Sequence, residues 1–134
     1  MLFHEDWFMR QIEMLLSTII HILSENKETQ ESEQDLEVRW QTEQLLDEKD
    51  ICAAENYLFE KAEQFLGNPV FLKTALDFYS QVNKMSDEEL EQHNFSRDEI
   101  YDGIKEMCRI NGIDDTIFYI CLLYTSPSPR DSTS

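Results

Sequence analysis

Apolar residues in this chain recur at steps of three and four, the period of one face of an α-helix. In the first segment Phe8, Ile12, Leu15, Leu16, Ile19 and Leu23 follow that step, and Met9, Ile20 and Ile22 widen the stripe. Asp6 stands where an N-cap would, just ahead of the run. The pattern then stops. "SENKETQESEQ" holds no apolar residue and reads as an acidic linker over about 25–34. From Leu36 to Leu46 a second helix is expected, although Leu36, Val38 and Trp40 also alternate as a strand would; the chain offers no partner strand, which decides for helix.

The next two segments are cleaner. Asp50 is placed to cap a helix whose Ile51, Ala54, Leu58, Ala62 and Phe65 share one face, with Gly67 just past its end. Asn68-Pro69 opens another helix with a capping side chain followed by proline at the first helical position, where a missing N–H costs nothing. Phe71, Leu72, Ala75, Leu76, Tyr79 and Val82 form its stripe, and the short connection predicts an antiparallel hairpin over 50–84. Ser86 with Glu89, and Ser96 with Glu99, both have the spacing of a capping box, each cap being worth about 1 kcal/mol. The first begins a short helix ending near His93. The second begins a helix with Ile100, Ile104, Met107 and Cys108 inward, stopped at Asn111-Gly112. Phe95, just before a cap serine, reads as a hydrophobic staple. The fold expected is an all-α bundle of about five helices in one domain, residues 1–113.

Charge changes the picture of partners. The chain has 134 residues, 41% of them apolar, and a net charge of −17. That field repels nucleic-acid phosphates and anionic lipid, so neither is an expected partner. Residues 25–64 carry thirteen acids against four bases, whereas 65–84 carry one acid and two bases. A near-neutral apolar helix between acidic ones is expected at the centre of the core. The N-terminal apolar stretch opens acidic and is interrupted by Arg10, Glu13 and His21, so it is expected to be neither a signal peptide nor a membrane span, and the protein is expected in the cytoplasm.

Candidate chemistry is sparse. Cys52, Cys108 and Cys121 are odd in number and widely spaced, which suits a reducing compartment and forms neither a zinc pattern nor a disulfide framework. His4, His21 and His93 lie in separate segments with no Glu-x-x-His, and the acidic pairs Asp47-Glu48 and Asp114-Asp115 lack the calcium-loop spacing. No phosphate-cradling glycine loop or nucleophile elbow occurs. No catalytic residue, metal ligand or cofactor is expected, and the chain reads as a non-enzyme. Trp7, Phe8, Met9 and Arg10 are the candidate interaction residues, because aromatics, methionine and arginine are the types enriched in interface cores. The helix must also bury that face, so packing into the core is the competing assignment.

Asp6-Trp7-Phe8-Met9-Arg10 with Ile12, then Phe78-Tyr79, Asn83, Ser86-Asp87-Glu88-Glu89-Leu90 and Phe95-Ser96-Arg97-Asp98-Glu99-Ile100, resemble a family of short, acidic, cytoplasmic proteins from Firmicutes catalogued only as a domain of unknown function. The resemblance brackets most of residues 5–113 and implies a helical fold; it carries no catalytic residues. In its middle part, through Ala62, Ala75 and Tyr79, the family is similar to tetratricopeptide-type hairpins, though no thirty-four-residue repeat is visible. The leading expectation is a protein-interaction or scaffold module that receives a partner helix or peptide between the hairpin helices. The alternative is an acidic decoy that mimics nucleic acid against a basic protein surface. The last stretch differs in kind. Cys121 to Asp131 resemble the conceptual translation of a transposon-based sequencing adapter, so 114–120 is expected to begin a truncated segment and 121–134 to be non-native.

Overall fold

The computed structural model describes residues 2–24 and 31–113, with side chains from Trp7 onward. Residues 25–30 of the expected linker, the segment 114–120 and the tail 121–134 lie outside the described residues. The fold is all-α: α1 (Leu2–Ser24), α2 (Glu33–Asp47), α3 (Ile51–Ala62), α4 (Pro69–Asn83), α5 (Asp87–Gln92) and α6 (Arg97–Ile110), with a 3-10 turn, Glu63–Phe65, after α3. Among the described residues there is no strand.

Local chemistry explains where the helices begin. Asp50 Oδ1 accepts from the Ala53 N–H, and Asn68 Oδ1 accepts from Val70 and Phe71 at 2.9 and 3.4 Å. Both expected capping boxes are closed, Ser86 with Glu89 and Ser96 with Glu99. A third was not expected. Ser32 caps α2 by accepting from the Asp35 N–H while Asp35 reaches back to the Ser32 N–H at 2.9 Å, so α2 starts at Glu33 rather than Leu36 and the linker is shorter than 25–34. Aspartate replaces the usual glutamate or glutamine at the third position, which hid the motif. The other Asp35 oxygen accepts from Asn68 Nδ2 at 3.1 Å and ties the start of α2 to the start of α4. Asp6 is not a cap: α1 begins at Leu2 and carries Asp6 within it.

Helix α4 lies at the centre. Its buried residues include Phe71, Leu72, Ala75, Leu76, Phe78, Tyr79, Val82 and Asn83, more than one face of the helix, as its neutral composition anticipates. It packs most extensively on α1 and α6, then on α2. Ile12, Leu15, Leu16 and Ile19 of α1 and Ile100, Ile104, Met107 and Cys108 of α6 complete the core.

The tight hairpin falls elsewhere than expected. Helix α3 packs mainly on α2, across the link Glu48–Asp50, where Lys49 takes a left-handed conformation (φ 63°) that reverses the chain. Between α3 and α4 the direct contact is smaller. The 3-10 turn, with Phe65 stacked on Phe71 at 5.3 Å, and Gly67 at φ 76° carry the chain from α3 to the start of α4. The tetratricopeptide likeness is therefore carried no further. On α2 the strand alternation is resolved in favour of helix: Val38 is buried, while Leu36 and Trp40 point to solvent.

Candidate functional site

The site grows from an arginine that stands at the electrostatically wrong end of its own helix. Ser96 caps α6, which makes Arg97 the first helical residue, where the helix dipole favours acids. The guanidinium does not serve α6. It reaches to the C-terminal end of α4, where Nη1 donates to the Asn83 carbonyl at 2.8 Å and to Asn83 Oδ1 at 2.9 Å, and Nη2 donates to the Met85 carbonyl at 2.8 Å. Asp87 Oδ1 lies 3.2 Å from Nη2. A planar fork of donors suits this cluster of carbonyl oxygens as a lysine could not. Only 10% of the Arg97 side chain is exposed, and its buried Nε has no hydrogen-bond partner among the described residues.

Asn83 is wholly buried and completes the tie: its Nδ2 donates to the Met9 carbonyl of α1 at 3.1 Å. One amide and one guanidinium thus join α1, α4, the turn before α5 and the start of α6.

Beside this junction is a cleft of about 410 Å³. Phe8, Leu90 and Phe95 give it an apolar floor, and Asp87, Glu91 and Asp98 stand on its rim. Phe8 is half-buried and leans on Tyr101 with ring centroids 6.1 Å apart. Of the four residues expected to form an interaction cluster, only Phe8 lines the cleft. Trp7 and Met9 are half-buried and Arg10 is exposed, because consecutive helical positions point in different directions. Met9 contributes its backbone carbonyl to the junction. Phe95, read as a staple, is a buried wall of the cleft.

The face between α3 and α4 that was expected to receive a partner is covered by α6. There Tyr79, fully buried, donates its hydroxyl to Glu55 Oε2 at 2.6 Å. Gly103 of α6 lies directly on that ring: a methyl group at this position would come within 2.7 Å of the ring carbon Cε1 and overlap the hydroxyl. Burial raises the Glu55 carboxyl above its usual range; the Tyr79 hydrogen bond opposes the rise and the charge of Glu99 adds to it. Burial and then the Glu55 charge push the Tyr79 phenol upward.

Both described thiols, Cys52 and Cys108, are raised above the usual thiol range. Burial pushes Cys108 up to about 12. Cys52 is raised by burial and then by Glu55, Glu99 and Asp50. A second cleft of about 330 Å³, reached by Ile20, Val70 and Thr74, has a mixed rim of Glu31, Arg39, Lys73 and Asp77, with Arg39 already 3.1 Å from Glu31. Among the described residues no group of three His, Cys, Asp or Glu side chains could hold a metal ion, and no helix is long and apolar enough to cross a membrane.

The family described as "Family of unknown function (DUF6483)" matches residues 2–112, and the chain belongs to that family. Neither the curated proteins nor the solved structures give a match. Some of the residues on which the family resemblance was read, Phe8, Met9, Asn83, Asp87, Leu90, Phe95 and Arg97, meet at the junction and its cleft, whereas Tyr79 lies against Glu55 and Gly103.

Proposed function

We propose that this member of the family is a non-catalytic protein-interaction module, and that the cleft bounded by Phe8, Leu90 and Phe95 is where it binds. One observation carries the reading. An apolar concavity has walls on three separate elements, and those elements are held in register by a buried hydrogen-bond network. Preorganised walls lower the ordering cost of association, which otherwise consumes much of the binding energy. Two thiols held as neutral –SH, and the Tyr79 hydroxyl committed to Glu55, support the non-catalytic part, since a nucleophilic cysteine needs a depressed pKa. The partner is a protein or peptide, and the cytoplasm is the proposed compartment.

The test is affinity capture from a bacterial lysate by the full chain, by Phe8→Ser, and by Trp40→Ser as a control on a distant exposed aromatic. Circular dichroism establishes that each variant is folded. The captured set should be lost with Phe8→Ser and kept with Trp40→Ser. Equal capture by wild type and Phe8→Ser would exclude the cleft.

A further inference from the structure

We infer that the occupant of the cleft is a segment of a partner protein in which one bulky apolar side chain is flanked by lysine or arginine. This rests on the protein-binding reading above and adds the chemistry of the partner.

The floor sets the anchor. Phe8, Leu90 and Phe95 are the apolar lining, and among the described lining residues the cation, Arg97, is engaged elsewhere. Both Arg97 Nη atoms are spent on the Asn83 and Met85 carbonyls, and its charge is matched by Asp87. The rim sets the flanks. Glu91 and Asp98 are exposed, and neither side chain forms a hydrogen bond or ion pair with another described residue. Asp98 is in the first turn of α6, where it also complements the helix dipole, but Glu91 lies near the end of α5, where a carboxylate gains nothing from the dipole. What the cleft shows to solvent is therefore apolar in the middle and negative at the edge.

Charge complementarity chooses among occupants. An acidic peptide or a nucleic acid meets repulsion both from the rim and from the net charge of −17. A second copy of the chain would bring the same charge with it. A basic segment is steered toward the protein and finds uncommitted carboxylates at the rim around its anchor, the arrangement in which rim charges govern encounter and the buried anchor governs residence.

The experiment uses the full chain and three fluorescein-labelled dodecapeptides: one with a central leucine among four lysines, one with that leucine replaced by alanine, and one with the lysines replaced by glutamine. Fluorescence anisotropy should show the first binding tightest, with losses of about tenfold or more for each of the others. Glu91→Lys/Asp98→Lys should lose about tenfold for the first peptide, whereas Glu43→Lys/Glu60→Lys, equal in net charge but remote, should lose less than about threefold. Equal binding of the alanine peptide, equal losses in the two double variants, or no binding at all would overturn the inference. Glutamine-flanked peptide binding as tightly as the lysine one would also overturn it while leaving the protein-binding reading in place. That reading falls separately, if lysate capture is indifferent to Phe8.

Discussion

Two apolar surfaces of this protein differ in how they are held. One is the cleft around Phe8, Leu90 and Phe95, concave and walled by α1, α5 and the turn into α6. The other is the outer face of α2, where Leu36 and Trp40, one turn apart, are 44% and 58% exposed. By exposure alone the α2 face is the more conspicuous. Its side chains, however, stand on the exposed face of a single helix, and isolated exposed apolar residues are ordinary on a protein surface. The cleft shows less apolar area but has its walls tied through Arg97 and Asn83. The lesson is that buried polar bonds beneath a surface distinguish a shaped site from exposed oil.

The sharpest way to break the contrast is to remove the tie. Arg97→Ala leaves the Asn83 and Met85 carbonyls without their donor and Asp87 without its cation, and should cost about 3–5 kcal/mol in urea unfolding. Arg97→Lys should recover only part of this, since an ammonium cannot reproduce the fork. A loss below about 1 kcal/mol for Arg97→Ala would show that the junction is ornamental, on the usual scale for surface pairs.

The wall formed by α6 comes next. In an ordinary helix interior, glycine to alanine is stabilising by about 1 kcal/mol. Gly103→Ala should instead destabilise by about 3 kcal/mol, because the added methyl meets the buried Tyr79 ring, which has no room to retreat. An unfolding midpoint that rises would contradict the packing described.

A smaller effect sharpens the comparison through pH. The Glu55 carboxyl is raised in the folded protein, chiefly by burial. The folded state therefore holds its proton to higher pH than the unfolded chain does. The stabilisation from this group is present below the ordinary glutamate range and is lost as pH rises through the raised value. Glu55→Gln keeps an acceptor for Tyr79 without a buried charge, so its stability relative to wild type should improve as pH climbs from about 4 to 7. The gain should exceed that of the exposed Glu60→Gln, which controls for net charge. Parallel pH profiles for the two variants would refute the account of Glu55.

The smallest effect belongs to the α2 face. Trp40→Ala should change stability by less than about 0.5 kcal/mol, as expected of a surface position without buried partners. A larger loss would mean that Trp40 is packed in solution.

Much of this molecule was legible in advance for a physical reason. Capping residues and one-face stripes act within four or five positions, so Asp50, Asn68, Ser86 and Ser96 marked α3, α4, α5 and α6, and Ile100, Ile104, Met107 and Cys108 were correctly placed inward. What failed depends on contacts remote in sequence. Arg97 was assigned no role from sequence, because its partners lie fourteen and twelve residues upstream. A cation in the first turn of a helix was the available clue. Asp35 was missed as a cap residue because its box is written with aspartate, and the hairpin was misplaced because connection length says which helices are sequential, not which pair most closely. Of the candidate interaction residues Phe8 lines the cleft and Trp7, Met9 and Arg10 do not, a distinction that residue type alone could not draw because it does not say which position faces Leu90 and Phe95.

The most direct measurement is a backbone amide shift map of the ¹⁵N-labelled full chain on titration with the lysine-flanked leucine peptide. The expected result is that the largest changes fall on residues 7–9 and 87–98, around Phe8, Leu90, Phe95 and Arg97, with α2 little affected. Largest changes along Leu36–Asp47, or changes spread evenly over the acidic surface, would contradict the claim that the cleft is where this protein binds.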